Sequence, residues 1–297
     1  MTLLAHENKF VWSGKIILAA IRVIRPQFWV STITAALAGG FIAGASMREL
    51  IPLIVAYAFA TGGVESFNDF ADRFSDSGNT KKGFGILSSG GTGVIQGKLL
   101  TSQQVLRISI LMCTLALAFS LFYKWAIIFV ALFILLEFYY SAKPVRLKER
   151  GALGPLAIGV GYGSLPFLAG GMGHNLASPY LIIAFLLALL DFGFGGLSDL
   201  ADYAEDKTNV LTTFSVKYGF SKSKKILLFF ESFPFLSLFF LVVAGVVKVN
   251  FLSVVALLFA LPICWAVDKS GPEDERVISN CHIASIVVIS LFPFCFL

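Results

Sequence analysis

Residues 62–80 read GGVESFNDFADRFSDSGNT, directly after an apolar run that begins near residue 50. Asn68, Asp69, Asp72 and Asp76 fall within nine positions. One acid at the edge of an apolar segment is ordinary. Four polar groups at near-helical spacing need a partner. Positions i, i+3 and i+7 share one face of a helix. A helix carried two turns past the apolar run would therefore present Asp69, Asp72 and Asp76 as a carboxylate stripe at its end.

The rest of the chain sets that stripe at a membrane. Of 297 residues, 57% are hydrophobic and 14% charged, with a mean hydropathy of +0.83. Soluble domains run at about 45–50% apolar and about 25% charged. The composition predicts an all-α, multi-pass protein of the cell membrane, since long continuous apolar runs span as helices rather than as barrel strands. Nine spans are expected, at roughly 27–45, 50–67, 103–122, 125–141, 153–172, 178–197, 226–247, 250–267 and 277–296, forming one domain over 1–297 around a central cavity. The fifth is rich in glycine and carries Pro155 and Pro166, which points to a kink or a close packing.

Charge fixes an expected orientation. With the N-terminus in the cytoplasm, 20 of the 23 lysines and arginines fall on the inner side, and only Arg48, Lys124 and Lys248 fall outside. Such a bias predicts N-in and C-out, and it explains the net charge of +5 without nucleic acid as a partner. The N-terminal stretch MTLLAHENKFVWSGKI lacks a signal-peptide layout, so the first spans are expected to target the chain. Cys113, Cys264, Cys281 and Cys295 have no metal-type spacing and read as core residues. His6, His174 and His282 are far apart in sequence, so no histidine cluster offers a general base.

A second acidic cluster, GGLSDLADYAEDKTN, occupies 195–209. Shifted by 130 positions it lays Asp199, Asp202 and Asp206 on Asp69, Asp72 and Asp76. Both clusters read D-x-x-D-x-x-x-D, each after an apolar span, with four spans between them. The repeat is therefore parallel, and both clusters face the cytoplasm. Six aspartates around one cavity repel one another unless cations intervene. An all-oxygen, carboxylate-rich site suits Mg²⁺, which commonly shares its coordination with phosphate oxygens. Two such clusters are a way to hold a diphosphate.

A third constellation lies on the same side. EFYYSAKPVRLKERGALG spans 137–154, with Tyr139 and Lys143 at i, i+4 and Arg146, Lys148 and Arg150 beyond. Lys143 and Arg146 are candidates to neutralise diphosphate charge. Lys148 and Arg150 read as topology-setting positives. Arg22 and Arg25, before Pro26, admit either role.

Together these stretches resemble the UbiA superfamily of intramembrane prenyltransferases. Its N-D-x-x-D-x-x-x-D motif is matched by Asn68, Asp69, Asp72 and Asp76; its D-x-x-x-D by Asp202 and Asp206, with Asp199 ahead; its Y-x-x-x-K by Tyr139 and Lys143. The segment SSGGTGVIQGKLLT, 88–101, looks like the menaquinone-type branch, which prenylates 1,4-dihydroxy-2-naphthoate. An archaeal branch, digeranylgeranylglyceryl phosphate synthase, shares the aspartate motifs and stays open.

The resemblance implies a mechanism. A polyprenyl diphosphate, geranylgeranyl or similar, would lie between the clusters, bridged by two Mg²⁺. Asn68, Asp72 and Asp76 would hold one ion, and Asp202 and Asp206 the other. Asp69 and Asp199 would brace these ligands from behind. Arg22, Lys143 and Arg146, with Asn68 beside them, would take the diphosphate. Asp72, Asp202, Tyr139 and Lys143 are the expected catalytic residues. Tyr139 or Tyr140 would shield an allylic carbocation through its ring face, and a lipophilic or aromatic acceptor would attack it.

Two rival readings exist. A transporter also has repeats and buried acids, but its charges belong near mid-membrane. A CDP-alcohol phosphotransferase needs a glycine where Arg73 follows Asp72. Within the spans, Glu65 and Glu137 precede the motifs and are expected to brace them. Asp191 and Glu231 are expected to find hydrogen-bond partners inside the bundle.

Overall fold

The computed structural model describes residues 7–75, 91–172, 174, 179–248 and 250–297, and every regular element among them is helical. Helix α1, Glu7–Val23, leads into α2, Pro26–Ile42. The break falls at Arg25, whose φ of 45° is left-handed, with Pro26 at the first position of α2. Proline suits that position because its missing N–H would have no partner there. The two helices bend by 44°.

Capping sets the next starts. Ser46 and Glu49 form a capping box that opens α3, Met47–Ala71, and Thr101 with Gln104 does the same for α4, Ser102–Ser120. Each satisfies two otherwise unpaired N–H groups. Helix α5, Ala126–Ser141, follows after a tight turn. A short 3₁₀ turn, Leu147–Glu149, precedes a broken segment: α6 (Leu153–Ile158), a π-helical stretch (Gly159–Ser164) and α7 (Leu165–Gly171). Then come α8 (Pro179–Gly195), three short helices α9 (Leu197–Ala201), α10 (Tyr203–Thr208) and α11 (Phe214–Tyr218), and the long α12 (Phe220–Val243), α13 (Phe251–Lys269) and α14 (Glu275–Leu291).

Among the described residues seven helices are long and apolar enough to cross a bilayer, and the bent pair of α1 and α2 makes an eighth. Helix α5 is apolar but has 16 residues, short of the roughly 20 that a span needs. Each of the nine segments read from hydropathy thus coincides with a helix, while seven or eight qualify as full-length spans. Large apolar side chains on α12 and α13, such as Phe239, Phe240, Leu258 and Trp265, stay exposed. A surface of this kind suits lipid and not water.

The glycine-rich fifth segment is both interrupted and tightly packed. A Cβ on Gly170 would lie 2.1 Å from the Ala36 carbonyl oxygen, and one on Gly39 would lie 2.0 Å from that of Phe167. Helices α2 and α7 therefore meet backbone to backbone, the arrangement small residues allow inside membranes. Across the bundle, α3 packs on α2, α4 and α5, while α8 packs on the π-helical stretch and on α12. The residues at the end of α3 and those just after α8 border a common space.

Candidate functional site

Both acidic clusters open onto one polar cavity of about 120 Å³. Asn68 and Asp72 come from the end of α3, and Asp199, Asp202 and Asp206 from the helices after α8. Glu205, Tyr140, Arg146 and Lys148 complete much of the wall. Asp76 lies outside the described residues.

The carboxylates do not form a continuous helical stripe. Helix α3 stops at Ala71, with Asp72 as its cap at φ −87°, ψ −1°. Asp202 sits at the break between α9 and α10 at φ −83°, ψ 5°. The middle aspartate of each cluster thus occupies the same sparsely populated bridge conformation, in which active-site residues often sit. The i, i+3, i+7 spacing suggested unbroken helices, but each ends one residue before or at the carboxylate that matters.

Cations face the first cluster. Arg146 donates through Nη2 to Asp72 at 2.9 Å and through Nε to Glu149 at 2.5 Å. Lys148 Nζ pairs with Asp72 and donates to the Asn68 carbonyl oxygen at 3.1 Å. Ser141 Oγ donates to the same oxygen at 2.8 Å. Like Arg25, Arg146 has a left-handed backbone, with φ of 41°. Residues held this way cost energy and cluster where function fixes them.

Behind these groups stand Asp69 and Asp199. Asp69 is buried, accepts from Arg25 Nη2 at 2.5 Å and from the Thr92 hydroxyl, and so ties α3 to α2 and to the loop before α4. Arg22 reaches the site at one remove, donating to the Thr92 carbonyl at 3.3 Å. Asp199 accepts from the Phe214 N–H at 3.3 Å, and Asp206 accepts from Thr213 at 2.9 Å.

Three sequence expectations shift. Tyr139 is 41% exposed and packs against the edge of Phe138, whereas Tyr140 lines the cavity. On α5 the cavity-facing side carries Glu137, Tyr140 and Ser141, at i, i+3 and i+4; Tyr139 points to another face. Lys143 lines a neighbouring cavity of about 450 Å³ together with Arg146. Lys148, read as a topology-setting charge, is at the centre. Its place depends on the 3₁₀ turn at Leu147–Glu149, which no periodicity announces.

A second cavity of about 110 Å³ lies deeper in the bundle and shares Arg25, Asn68, Tyr140 and Ser198 with the polar one. Phe28, Ile158, Ile286 and Ile289 give it apolar walls, and Glu65, Glu137 and Asp191 line it as well. Asp191 was expected to find a partner, but neither of its carboxylate oxygens has one among the described residues. Glu231 accepts from the Cys264 thiol at 3.4 Å.

The donor set around the polar cavity is all oxygen: an amide carbonyl and carboxylates, with no thiol or imidazole on its wall. That chemistry fits a hard divalent cation. Among the described residues no three acidic, histidine or cysteine side chains converge into a self-sufficient metal cage. The arrangement fits ions that complete their coordination with water and phosphate oxygens.

Comparison with known proteins places the chain in a family and a fold. A chlorophyll synthase of Avena sativa is 24% identical over 227 residues, covering 75% of this chain and 59% of that protein. The 33 kDa chain of bacteriochlorophyll synthase from Cereibacter sphaeroides is 26% identical over 191 residues, covering 62% of this chain and 60% of that one. The chain thus spans about six-tenths of the length of these relatives. A UbiA homologue from Archaeoglobus fulgidus, solved with GPP and Mg²⁺, superposes with a TM-score of 0.68 at 17% identity, over 93% of this chain and 98% of that one, which shows a shared fold. The family profile of the UbiA prenyltransferases matches residues 28–282, and the chain belongs to that family.

Proposed function

We propose that this protein transfers a polyprenyl group from an allylic diphosphate to an aromatic acceptor, in a Mg²⁺-dependent reaction at the cytoplasmic edge of the cell membrane. The observation that carries the reading is the meeting of Asn68, Asp72, Asp202 and Asp206 on one polar cavity that continues into an apolar one. The charge bias of the loops supports nine crossings with the N-terminus inside.

In this reading Asn68 and Asp72, with Asp76, hold one Mg²⁺, and Asp202 and Asp206 hold a second. Bound there, Mg²⁺ supplies charge neutralisation for the diphosphate and weakens the allylic C–O bond as a Lewis acid. Arg146 and Lys148, now paired with Asp72, are placed to receive phosphate oxygens and to stabilise charge that grows on the leaving group. The C–O bond breaks with its electron pair on the diphosphate. Tyr140 presents its ring to the allylic cation. A nucleophilic ring carbon of the acceptor forms the new C–C bond and then gives up its proton to the departed diphosphate. Asp69 and Asp199 hold the ligating helix ends in register.

The acceptor we propose is 1,4-dihydroxy-2-naphthoate, on the strength of the 88–101 segment. The test incubates purified protein with Mg²⁺, labelled geranylgeranyl diphosphate and a panel of acceptors. The panel holds that naphthoate, 4-hydroxybenzoate, geranylgeranylglyceryl phosphate and, given the relatives named chlorophyll synthases, a chlorin. A prenylated naphthoate is expected. Failure of every acceptor would overturn the activity, and a different product would replace the acceptor.

Chelation should be decisive. EDTA is expected to lower the rate by about 10²-fold or more, restored by added Mg²⁺, because the diphosphate then faces bare carboxylates. Mg²⁺ and geranylgeranyl diphosphate should raise the melting temperature together more than either alone. A transporter of unrelated solutes would show no such joint effect.

Lys148→Met tests the cation that sequence reading passed over. The KM for the prenyl diphosphate is expected to rise roughly tenfold, the size of one lost charge-assisted hydrogen bond. The KM for the acceptor should hold, and Lys148→Arg should recover part of the loss. An unchanged donor KM would remove Lys148 from the diphosphate site.

A further inference from the structure

The deeper cavity holds more acid than bracing requires. Glu65 is satisfied: Arg25 Nη1 lies 3.0 Å away, and Tyr162 donates its hydroxyl at 2.6 Å. Glu137 and Asp191 are not. They are 5% and 2% exposed, both line the cavity, and Glu137 Oε1 and both Asp191 oxygens lack hydrogen-bond partners among the described residues. A buried, unmatched carboxyl group costs several-fold more than a matched one, and ionisable side chains inside membrane bundles are rare unless they act.

Room for them is made by backbone. A Cβ on Gly161 would stand 2.4 Å from Glu137 Oε1, and one on Gly163 would stand 2.6 Å from Asp191 Oδ2. Both glycines lie in the π-helical stretch. Such π turns occur frequently at functional sites. Phe28, Ile158, Ile286 and Ile289 give the cavity apolar wall, interrupted by Ser31, Ser285 and His282. The space is thus greasy on its flanks and has carboxyl oxygens from two separate helices lining it, with Arg25 at its boundary.

We infer that this cavity seats the acceptor as a hydroxylated aromatic ring, whose O–H groups donate to Glu137 and Asp191. The inference rests on the prenyl-transfer reading and names which side chains of the site choose the acceptor. Neutral hydroxyl donors satisfy the orphaned oxygens. Apolar walls take the ring faces. A ring held there lies next to Tyr140, Asn68 and Ser198, which border the diphosphate cavity as well, so its nucleophilic carbon is directed at the donor.

The test measures binding first, in the full chain without donor. Fluorescence titration compares 1,4-dihydroxy-2-naphthoate with 2-naphthoate, the same ring lacking both hydroxyls. The wild type should prefer the dihydroxy compound by about tenfold or more, the value of two modest hydrogen bonds. In Glu137→Met/Asp191→Leu the preference should fall to within about twofold, with 2-naphthoate affinity unchanged. The melting temperature should hold or rise, since the lost groups had no partners. In turnover, the acceptor KM should rise and the donor KM should not.

A wild type that binds both naphthoates equally would overturn the pocket, as would a variant that keeps the preference. A wild type that discriminates the two rings yet prenylates nothing would sink the transferase reading and leave the pocket standing. Turnover with an unaltered acceptor KM in the variant would do the reverse.

Discussion

Asp72→Ala and Asp202→Ala should each lower turnover by at least about 10³-fold, equivalent to about 4 kcal/mol of lost transition-state stabilisation. Both residues cap a helix at nearly the same backbone angles, φ −87° and −83°, and both line the polar cavity. Each is the middle acid of its cluster. On the proposed reading each carries charge that recruits Mg²⁺, and Asp72 also holds Arg146 and Lys148 in place until a diphosphate arrives. Asp72→Asn keeps the shape and loses the charge. Its rate should resemble that of Asp72→Ala, and its melting temperature should fall below the wild type, because Arg146 and Lys148 lose a buried counter-charge. Product formation measured over a range of Mg²⁺ decides the matter. Rates within about tenfold of normal in a well-folded variant would mean that the metal sits elsewhere.

The second large effect is structural. Gly170→Val is expected to destabilise the bundle by on the order of 3 kcal/mol, a cost typical of forcing bulk into a full interior. The atom in the way is backbone: a Cβ at Gly170 meets the Ala36 carbonyl at 2.1 Å and the Gly40 nitrogen at 2.7 Å. No rotamer change relieves that contact, so α2 and α7 must part. A thermal scan in detergent should show a fall of about 10 °C. The proposed diphosphate site lies at the far end of α3 and should remain formed in the folded fraction. A melting temperature within about two degrees of wild type would show that the helices separate at little cost.

Hydropathy alone marked where the long apolar helices from α2 onward lie, because apolar length is a property of the chain and survives any packing, but it marked neither α1 nor the short α9, α10 and α11. The convergence of the two acidic clusters was legible for a similar reason: an even number of spans between them places both on one side. What was hidden depends on how helices stop. The spacing of Asp69, Asp72 and Asp76 fits a helix equally well whether or not it continues, and α3 ends at Ala71. The choice between Tyr139 and Tyr140 turned on rotation about α5, which sixteen nearly uniform apolar residues do not specify. Lys148 was hidden by a three-residue 3₁₀ turn. The unmatched oxygens of Asp191 were invisible because a lone acid in a span announces its own cost but not its neighbours.

Arg25, Asn68, Tyr140 and Ser198 serve as floor to the upper chamber and ceiling to the lower. A protein built this way cannot retune its grip on one substrate in isolation. On the proposed reading a change at any of those four positions alters headgroup and ring together, so selectivity toward new acceptors evolves from the lower walls, where Ile158, Ile286 and Ile289 do not border the polar cavity.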